Sequence, residues 1–330
     1  MKKLIFTSFI CLIAAIGAAA QSVSMHTTHT AGDTIRLIVQ AEQRPIFDGA
    51  EQIFDNGSEF ILKLKEQTVT IKGNIHIFDC SGCGLDSLIT KNAPELRTLR
   101  ANGNRLKSIN LSDNRMLEIV NLNYNKLEEL DLGSLTSLRD LDCCGNKLKT
   151  IDLSDNRLLK SADLSSNELF TLDLRHNTRL EMLLADHNQL SSLETRALKK
   201  LRNLRCGSNH IKTLILTANK KLRVLDCDNS PILMLNLSRN RQLRELHLEN
   251  CPLKEINLKR NRQLRYIYSS GCEIHLQLLT EALPHKKWRK GTLYVTPDFN
   301  VLGPRRKKAF RDIAFRKGWD LKRGSAGELL

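Results

Sequence analysis

Residues 159–179 read LKSADLSSNELFTLDLRHNTR, and residues 243–263 read LRELHLENCPLKEINLKRNRQ. Both follow LxxLxLxxNxLxxLxLxxNxx, a 21-residue unit in which LxxLxL occurs twice. Outward from these two stretches, the aliphatic residue at position 1 recurs at Ile75, Leu96, Leu117, Leu138, Leu159, Leu180, Leu201, Leu222, Leu243 and Leu264 without a slip. A fixed period of this length is the signature of stacked coils. Such arrays offer a long surface made of neighbouring turns, which points to recognition of a partner and away from an enclosed active site.

The register assigns each residue a direction. Positions 1, 4, 6, 11, 14 and 16 are predicted to point inward. The two halves of a coil, ten and eleven residues long, cannot house a substantial helix plus its turns. The fold class is therefore a β-dominant solenoid of about ten coils, with short strands on a concave side and extended chain on the convex side. Position 9 holds Asn104, Asn125, Asn146, Asn167, Asn188 and Asn209, where a buried amide can satisfy backbone groups left open by the turn. A second ladder, Asn114, Asn156, Asn177, Asn219, Asn240 and Asn261, is expected to serve the other turn.

The flanks differ in kind. Lys2 and Lys3, an apolar run from Leu4 to Ile16, and Ala18, Ala19 and Ala20 read as an export signal over residues 1–20, cleaved after Ala20. Cys11 lies inside the apolar run, which argues against a lipid-anchored cysteine. No later stretch approaches the ~18 apolar residues of a membrane span. The mature protein is thus expected to be exported: secreted, associated with the cell surface, or periplasmic. Residues 21–72 contain no repeat; Asp33–Ala41 and Glu59–Lys72 alternate apolar and polar residues around an Asn56-Gly57 turn, and read as a β-rich N-terminal cap. Residues 73–280 form the solenoid. Residues 281–330 are expected to make a basic cap: a strand at Lys290–Thr296, a helix at Arg305–Arg316 with Ala309, Phe310, Ile313 and Ala314 on one face, and a strand at Trp319–Leu321.

The doubled 21-residue motif resembles the leucine-rich repeats of exported bacterial proteins, broadly similar to internalins and especially to the nested LxxLxLxxNxLxxLDLxxN subclass. The resemblance implies the solenoid fold and protein or glycan recognition, often in adhesion or host contact. The chain departs from surface-anchored members in lacking a recognisable wall-anchoring signal or long sorting domain.

Eight cysteines remain after the signal. Cys80 and Cys83 have the CxxC spacing of redox and zinc sites, but register places Cys80, Cys143, Cys206 and Cys227 at inward position 6, and Cys83, Cys251 and Cys272 at position 9. Core filling by a small hydrophobe is the expected role, with Cys144 alone facing solvent. Cys206 with Cys227, and Cys251 with Cys272, lie one coil apart at about 4.8 Å, inside disulfide range, although parallel side chains make the dihedral awkward. Asp131, Asp152 and Asp173 share position 15; turn capping is their expected role, with a stacked calcium site as the sharper alternative. The histidines are scattered, without a spacing that suggests a nucleophile or metal site. No phosphate loop or paired catalytic carboxylates are legible, so neither catalytic residues, cofactor nor metal is expected.

Charge is the anomaly. The formal net charge is +15. Turns 196–202, 217–223, 238–244 and 259–265 carry +14 of positive charge with no acid among them, and residues 281–330 add +8. This predicts a basic ridge of Arg196, Lys199, Lys200, Lys220, Lys221, Arg239, Arg241, Lys259, Arg260 and Arg262. Strand positions 3, 5 and 7 are acidic instead, with Asp79, Asp140, Asp142, Asp163, Asp186, Asp226, Asp228, Glu245 and Glu249 opposed by Arg100 and Arg205.

Two partner classes follow. The leading expectation is a protein partner on the concave face, contacted by Tyr266, Tyr268, His247, Glu245, Asp226, Asp228, Met182, Leu184 and Asp142, because exposed aromatic residues are enriched at recognition hot spots. The alternative is an anionic glycan or lipopolysaccharide on the ridge. Nucleic acid fits less well, because export separates the chain from it and the ridge has no interleaved aromatic residues.

Overall fold

The computed structural model describes residues 21–272, 279, 282–285, 291–295, 304–323 and 328–329. The export signal read at 1–20 lies outside the described residues, as do parts of the C-terminal segment. The chain divides into two compact units, residues 1–137 and 138–330.

The N-terminal unit begins with six strands before the repeat: β1 (Ser22–Thr27), β2 (Thr34–Ala41), β3 (Ile46–Asp48), β4 (Ala50–Asp55), β5 (Glu59–Leu64) and β6 (Thr68–Lys72). The repeat then supplies β7 (Ile75–Asp79), β8 (Leu85–Asn92), β9 (Thr98–Arg100) and β10 (Ile119–Asn121). One sheet runs β3-β6-β1-β8; in the other, β4, β5, β2, β7, β9 and β10 follow one another. β1 pairs antiparallel with β8 and β2 with β7, so both edges of the first coil are covered by strands from ahead of the repeat. An unpaired edge would otherwise template association with another chain. Phe47 and Phe60 link the two sheets with ring centres 5.0 Å apart.

In the C-terminal unit each coil contributes a three-residue strand at positions 3–5: β11 (Asp140–Asp142), β12 (Ser161–Asp163), β13 (Met182–Leu184), β14 (Asn203–Arg205), β15 (Val224–Asp226), β17 (Glu245–His247) and β19 (Tyr266–Tyr268). They pair in parallel with each residue facing its equivalent one coil on, as in Leu183↔Leu204 and Leu225↔Leu246. The other side of the coils is extended, apart from β16 (Met234–Leu235) paired with β18 (Glu255–Ile256). Beyond the repeat come β20 (Gly291–Val295), α1 (Pro304–Arg316), β21 (Trp319–Arg323) and β22 (Glu328–Leu329). β20 extends the parallel sheet next to β19, and β21 pairs with β20. Trp319 is 1% exposed, lies where a Cβ on Gly291 would collide with its ring, and donates its indole N–H to the Pro284 carbonyl.

The α1 face differs in part from expectation. Phe310 and Ala314 are buried, one turn apart, whereas Ala309 is exposed and Ile313 half-buried; an inward stripe only two residues wide suffices to seat a short helix on β21. No described helix is long and apolar enough to cross a membrane.

Both asparagine ladders act on the backbone. Asn188 accepts the Leu169 N–H through Oδ1 at 3.0 Å and donates through Nδ2 to the Leu164 and Ala185 carbonyls, tying its own turn to the preceding coil. Asn177 donates to the Leu153 and Asn156 carbonyls. In two coils a threonine replaces leucine at position 16 and its hydroxyl reaches the second ladder: Thr90 to Asn114 Oδ1 at 2.6 Å and Thr195 to Asn219 Oδ1 at 2.9 Å. Asp131, Asp152 and Asp173 accept the N–H two residues on, which is the turn-capping role.

Candidate functional site

The strand face of the C-terminal unit is shaped by residues that follow one another at the same coil position. Parallel pairing sets His247 opposite Tyr268, and Tyr268 opposite Tyr294 of β20. The rings stack accordingly, His247 on Tyr268 at 4.2 Å and 14°, and Tyr268 on Tyr294 at 4.5 Å and 4°. Burial beside Tyr294 pushes the Tyr268 phenol up to about 12. Tyr266 stands next to this column, 42% exposed.

Acids cluster at the foot of the column. Asp226 and Asp228 belong to positions 5 and 7 of one coil, and His247 to position 5 of the next. Asp228 donates its backbone N–H to Asp226 Oδ1 at 3.1 Å, and the Glu249 N–H is donated to Asp228 Oδ1. His247 Nε2 lies 2.8 Å from Glu245 Oε1, and Nδ1 lies 3.8 Å from Asp228 Oδ2. Burial, reinforced by Asp226, pushes the Asp228 carboxyl up to about 7. Asp186 is raised to about 6, first by burial and then by Asp226, although it accepts the Gly207 N–H at 2.9 Å. Gly207 makes this crowding feasible: a Cβ there would sit 2.9 Å from the Asp228 carbonyl and 3.1 Å from Asp226 Oδ1.

Further along the same face, Asp140, Asp142 and Asp163 form a carboxylate-only group. Burial and then Asp163 and Asp140 raise Asp142. Met182 and Leu184 are half-buried on the strand between these two acidic groups.

The ridge contrasts with both. Arg196, Lys199, Lys200, Lys220, Lys221, Arg239, Arg241, Lys259, Arg260 and Arg262 are all exposed. Among the described residues, Lys199, Lys200, Lys220, Lys221, Arg239, Arg241, Lys259 and Arg260 enter no ion pair. Their turns are held from beneath: Ser238 and Lys259 donate backbone N–H groups to Asn236 and Asn257, and Arg196 does so to Glu194. A groove of mixed polarity adjoins the ridge, lined by Met234, Leu235 and Ile256 together with Asn236, Ser238, Asn257 and Arg260.

Six of the eight cysteines are buried, and all eight stand as thiols. Cys80 and Cys83 lie in the core, where burial raises both thiols, Cys83 to about 12; neither is a reactive thiolate. Cys272 is half-buried like Cys144, so Cys144 does not stand alone in this. Cys251 reaches across coils to donate to the Cys227 carbonyl at 3.0 Å.

The strand-face residues named from register are half-buried or exposed, and two further features are not legible from register. Tyr294 lies after the repeat has dissolved; the signal was the match between YIY at 266–268 and TLY at 292–294, each with an aliphatic residue between two outward ones. The convergence of Asp226, Asp228 and His247 leaves no short linear spacing in the sequence. In a solenoid the relevant offsets are two residues and one coil.

No family model and no curated protein matches the chain. Solved structures do. The functional domain of InlJ from Listeria monocytogenes, which includes a cysteine ladder, superposes with a TM-score of 0.52 at 23% identity over 71% of this chain and 62% of that one. The chain therefore spans less than two thirds of the InlJ structure. A leucine-rich-repeat protein from Leptospira interrogans superposes with a TM-score of 0.56 at 19% identity, over 70% of this chain and 73% of that one. The chain has the leucine-rich-repeat fold of internalin-like proteins. In this leucine-rich-repeat chain the aromatic column, the acidic cluster and the ridge all belong to the C-terminal unit.

Proposed function

We propose that the protein is an exported, non-enzymatic recognition module that binds a protein partner through the strand face of its C-terminal coils, in adhesion or host contact. The observation that carries this reading is the column His247, Tyr268 and Tyr294 beside exposed Tyr266. Stacking holds these aromatic groups in place before binding, so little side-chain freedom is lost on association. Half-buried Met182 and Leu184 and the carboxylates of Asp142, Asp226, Asp228 and Glu245 supply a mixed apolar and acidic surround. Capture with residues 21–330, compared with the Tyr266→Ala, Tyr268→Ala double variant, tests it. The variant should weaken a captured partner by about 2 kcal/mol or more, roughly thirtyfold in Kd. Undiminished capture by a folded double variant refutes the aromatic anchor.

A second reading rests on the ridge. Eight exposed cations without an ion pair among the described residues favour an anionic polymer, and Met234, 72% exposed in the adjoining groove, favours an amphiphile such as lipopolysaccharide over a plain glycan. Binding there should weaken steeply with salt, whereas strand-face recognition should weaken mildly.

A further inference from the structure

We propose that Asp226, Asp228 and His247 form a binding site for a divalent transition-metal cation of the zinc type on the strand face. The three side chains each offer one ligand atom, and these atoms lie within 4.8 Å of one another. Atoms bound to one such cation at about 2.0–2.2 Å stand about 3–4 Å apart, and His247 Nδ1 already lies 3.8 Å from Asp228 Oδ2. Small side-chain rotations close the site.

The second coordination sphere is built as well. Glu245 Oε1 lies 2.8 Å from His247 Nε2; as an acceptor there it favours the tautomer with the proton on Nε2, which turns Nδ1 toward Asp228 as the nitrogen available to a cation. A carboxylate behind a histidine is the usual means of fixing the tautomer and raising the basicity of a metal ligand. Stacking on Tyr268 sets the ring plane. Each aspartate has one oxygen engaged by a backbone N–H, from Asp228 to Asp226 and from Glu249 to Asp228, which anchors the carboxylate and leaves its other oxygen to coordinate.

Donor chemistry selects the cation. One imidazole and two carboxylates suit zinc, cobalt or nickel; calcium prefers six to eight oxygens. Three protein ligands leave at least one position for solvent. The carboxylate-only group of Asp140, Asp142 and Asp163 has no imidazole and makes an internal control.

The test is a titration of metal-free protein, residues 21–330, with Co2+ at neutral pH, followed by absorption and with stoichiometry from calorimetry using Zn2+. The site predicts one equivalent with d–d bands and without a sulfur-to-cobalt charge-transfer band, undisturbed by equimolar Ca2+. His247→Gln and Asp228→Asn should each abolish that equivalent, and Glu245→Gln should weaken it by about tenfold; far-ultraviolet circular dichroism checks that each variant folds. Asp142→Asn should leave it unchanged. Retention of the equivalent in folded His247→Gln or Asp228→Asn protein, displacement by Ca2+, or a sulfur-to-cobalt band accounting for all bound metal overturns the proposal.

Discussion

The two turns of the coils in the C-terminal unit share a device, a buried side chain bonded to neighbouring backbone, and carry opposite chemistry. At the turn leaving the strand, Asn188 and Asn209 satisfy the backbone, Ser230 and Cys251 stand in for them in the next two coils by donating to the Cys206 and Cys227 carbonyls, and the neighbouring side chains, Asp186, Asp228 and Glu249, are half-buried carboxylates, the first two held by backbone N–H groups. At the opposite turn Asn177, Asn219, Asn240 and Asn261 do the same work, and the neighbouring side chains are exposed lysines and arginines. Buried side chains hold the backbone at both places, so side chains around them are free to vary. What differs is hydration. The acids are partly desolvated and fixed in position, which suits short-range geometric recognition; the cations are solvated and act through a field that salt screens.

The sharpest way to break this contrast is to remove the field. Replacing Lys199, Lys200, Lys220, Lys221, Arg239 and Arg241 together with glutamine should abolish retention on a heparin column at physiological salt, without lowering the melting temperature. Retention that survives the six substitutions ends the ridge reading. The shared device comes next: Asn188→Ala leaves the Leu169 N–H without its partner and takes one of two amide donors from each of the Leu164 and Ala185 carbonyls, which keep Asn167 and Asn209, and should cost roughly 2 kcal/mol in chemical denaturation. Asn177→Ala, which removes two such bonds, should cost less.

The smallest effect concerns hydration of the acids. Asp186→Asn keeps an acceptor for the Gly207 N–H and deletes the charge. In the folded protein this carboxyl is raised from 3.8 to about 6 by burial and by Asp226. A raised pKa means the folded state holds the proton more tightly. The stability it contributes is present below 3.8 and is lost as pH rises through about 6. Relative to the variant, the wild-type protein should therefore lose about 1 kcal/mol across that interval, once the shift is discounted for partial solvation. Thermal melts in the presence of a chelator measure it; a flat difference between the two proteins contradicts the assignment.

How much of this was legible depended on whether the repeat reached the residue. Coil register alone placed Cys80, Cys143 and Cys206 in the core and the ridge cations in solvent. Position 8 was legible only in hindsight. It takes positive φ in Tyr124, Ser166, His187, Ser208, Asn229 and Asn250 as well as in Gly82, Gly103, Gly145 and Gly271, and the scatter of residue types hid a backbone demand that glycine meets most easily. Tyr294 was hidden by a change in spacing where the repeat ends. The pairing of β1 with β8 was hidden because antiparallel partners far apart in sequence leave no periodic trace. Asp226 and His247 were each read as surface residues, and their meeting was not, because it depends on the missing side chain of Gly207 and on a carboxylate turned back by its own backbone.

The in-register pairing has a genetic consequence. Asn188 reaches the Leu164 carbonyl and the Leu169 N–H, and Asn209 reaches the Ala185 carbonyl and the Leu190 N–H, with identical offsets. A duplication or deletion of one whole coil among these leaves every such bond with an equivalent partner. The gene can therefore lengthen or shorten the scaffold in unit steps without retuning it, whereas insertion or deletion of a single codon within a coil shifts the amide bonds that span that point out of register. The cluster at Asp226, Asp228 and His247 spans two consecutive coils, so the heritable unit for that chemistry is a pair of coils, and a break between them would separate its parts.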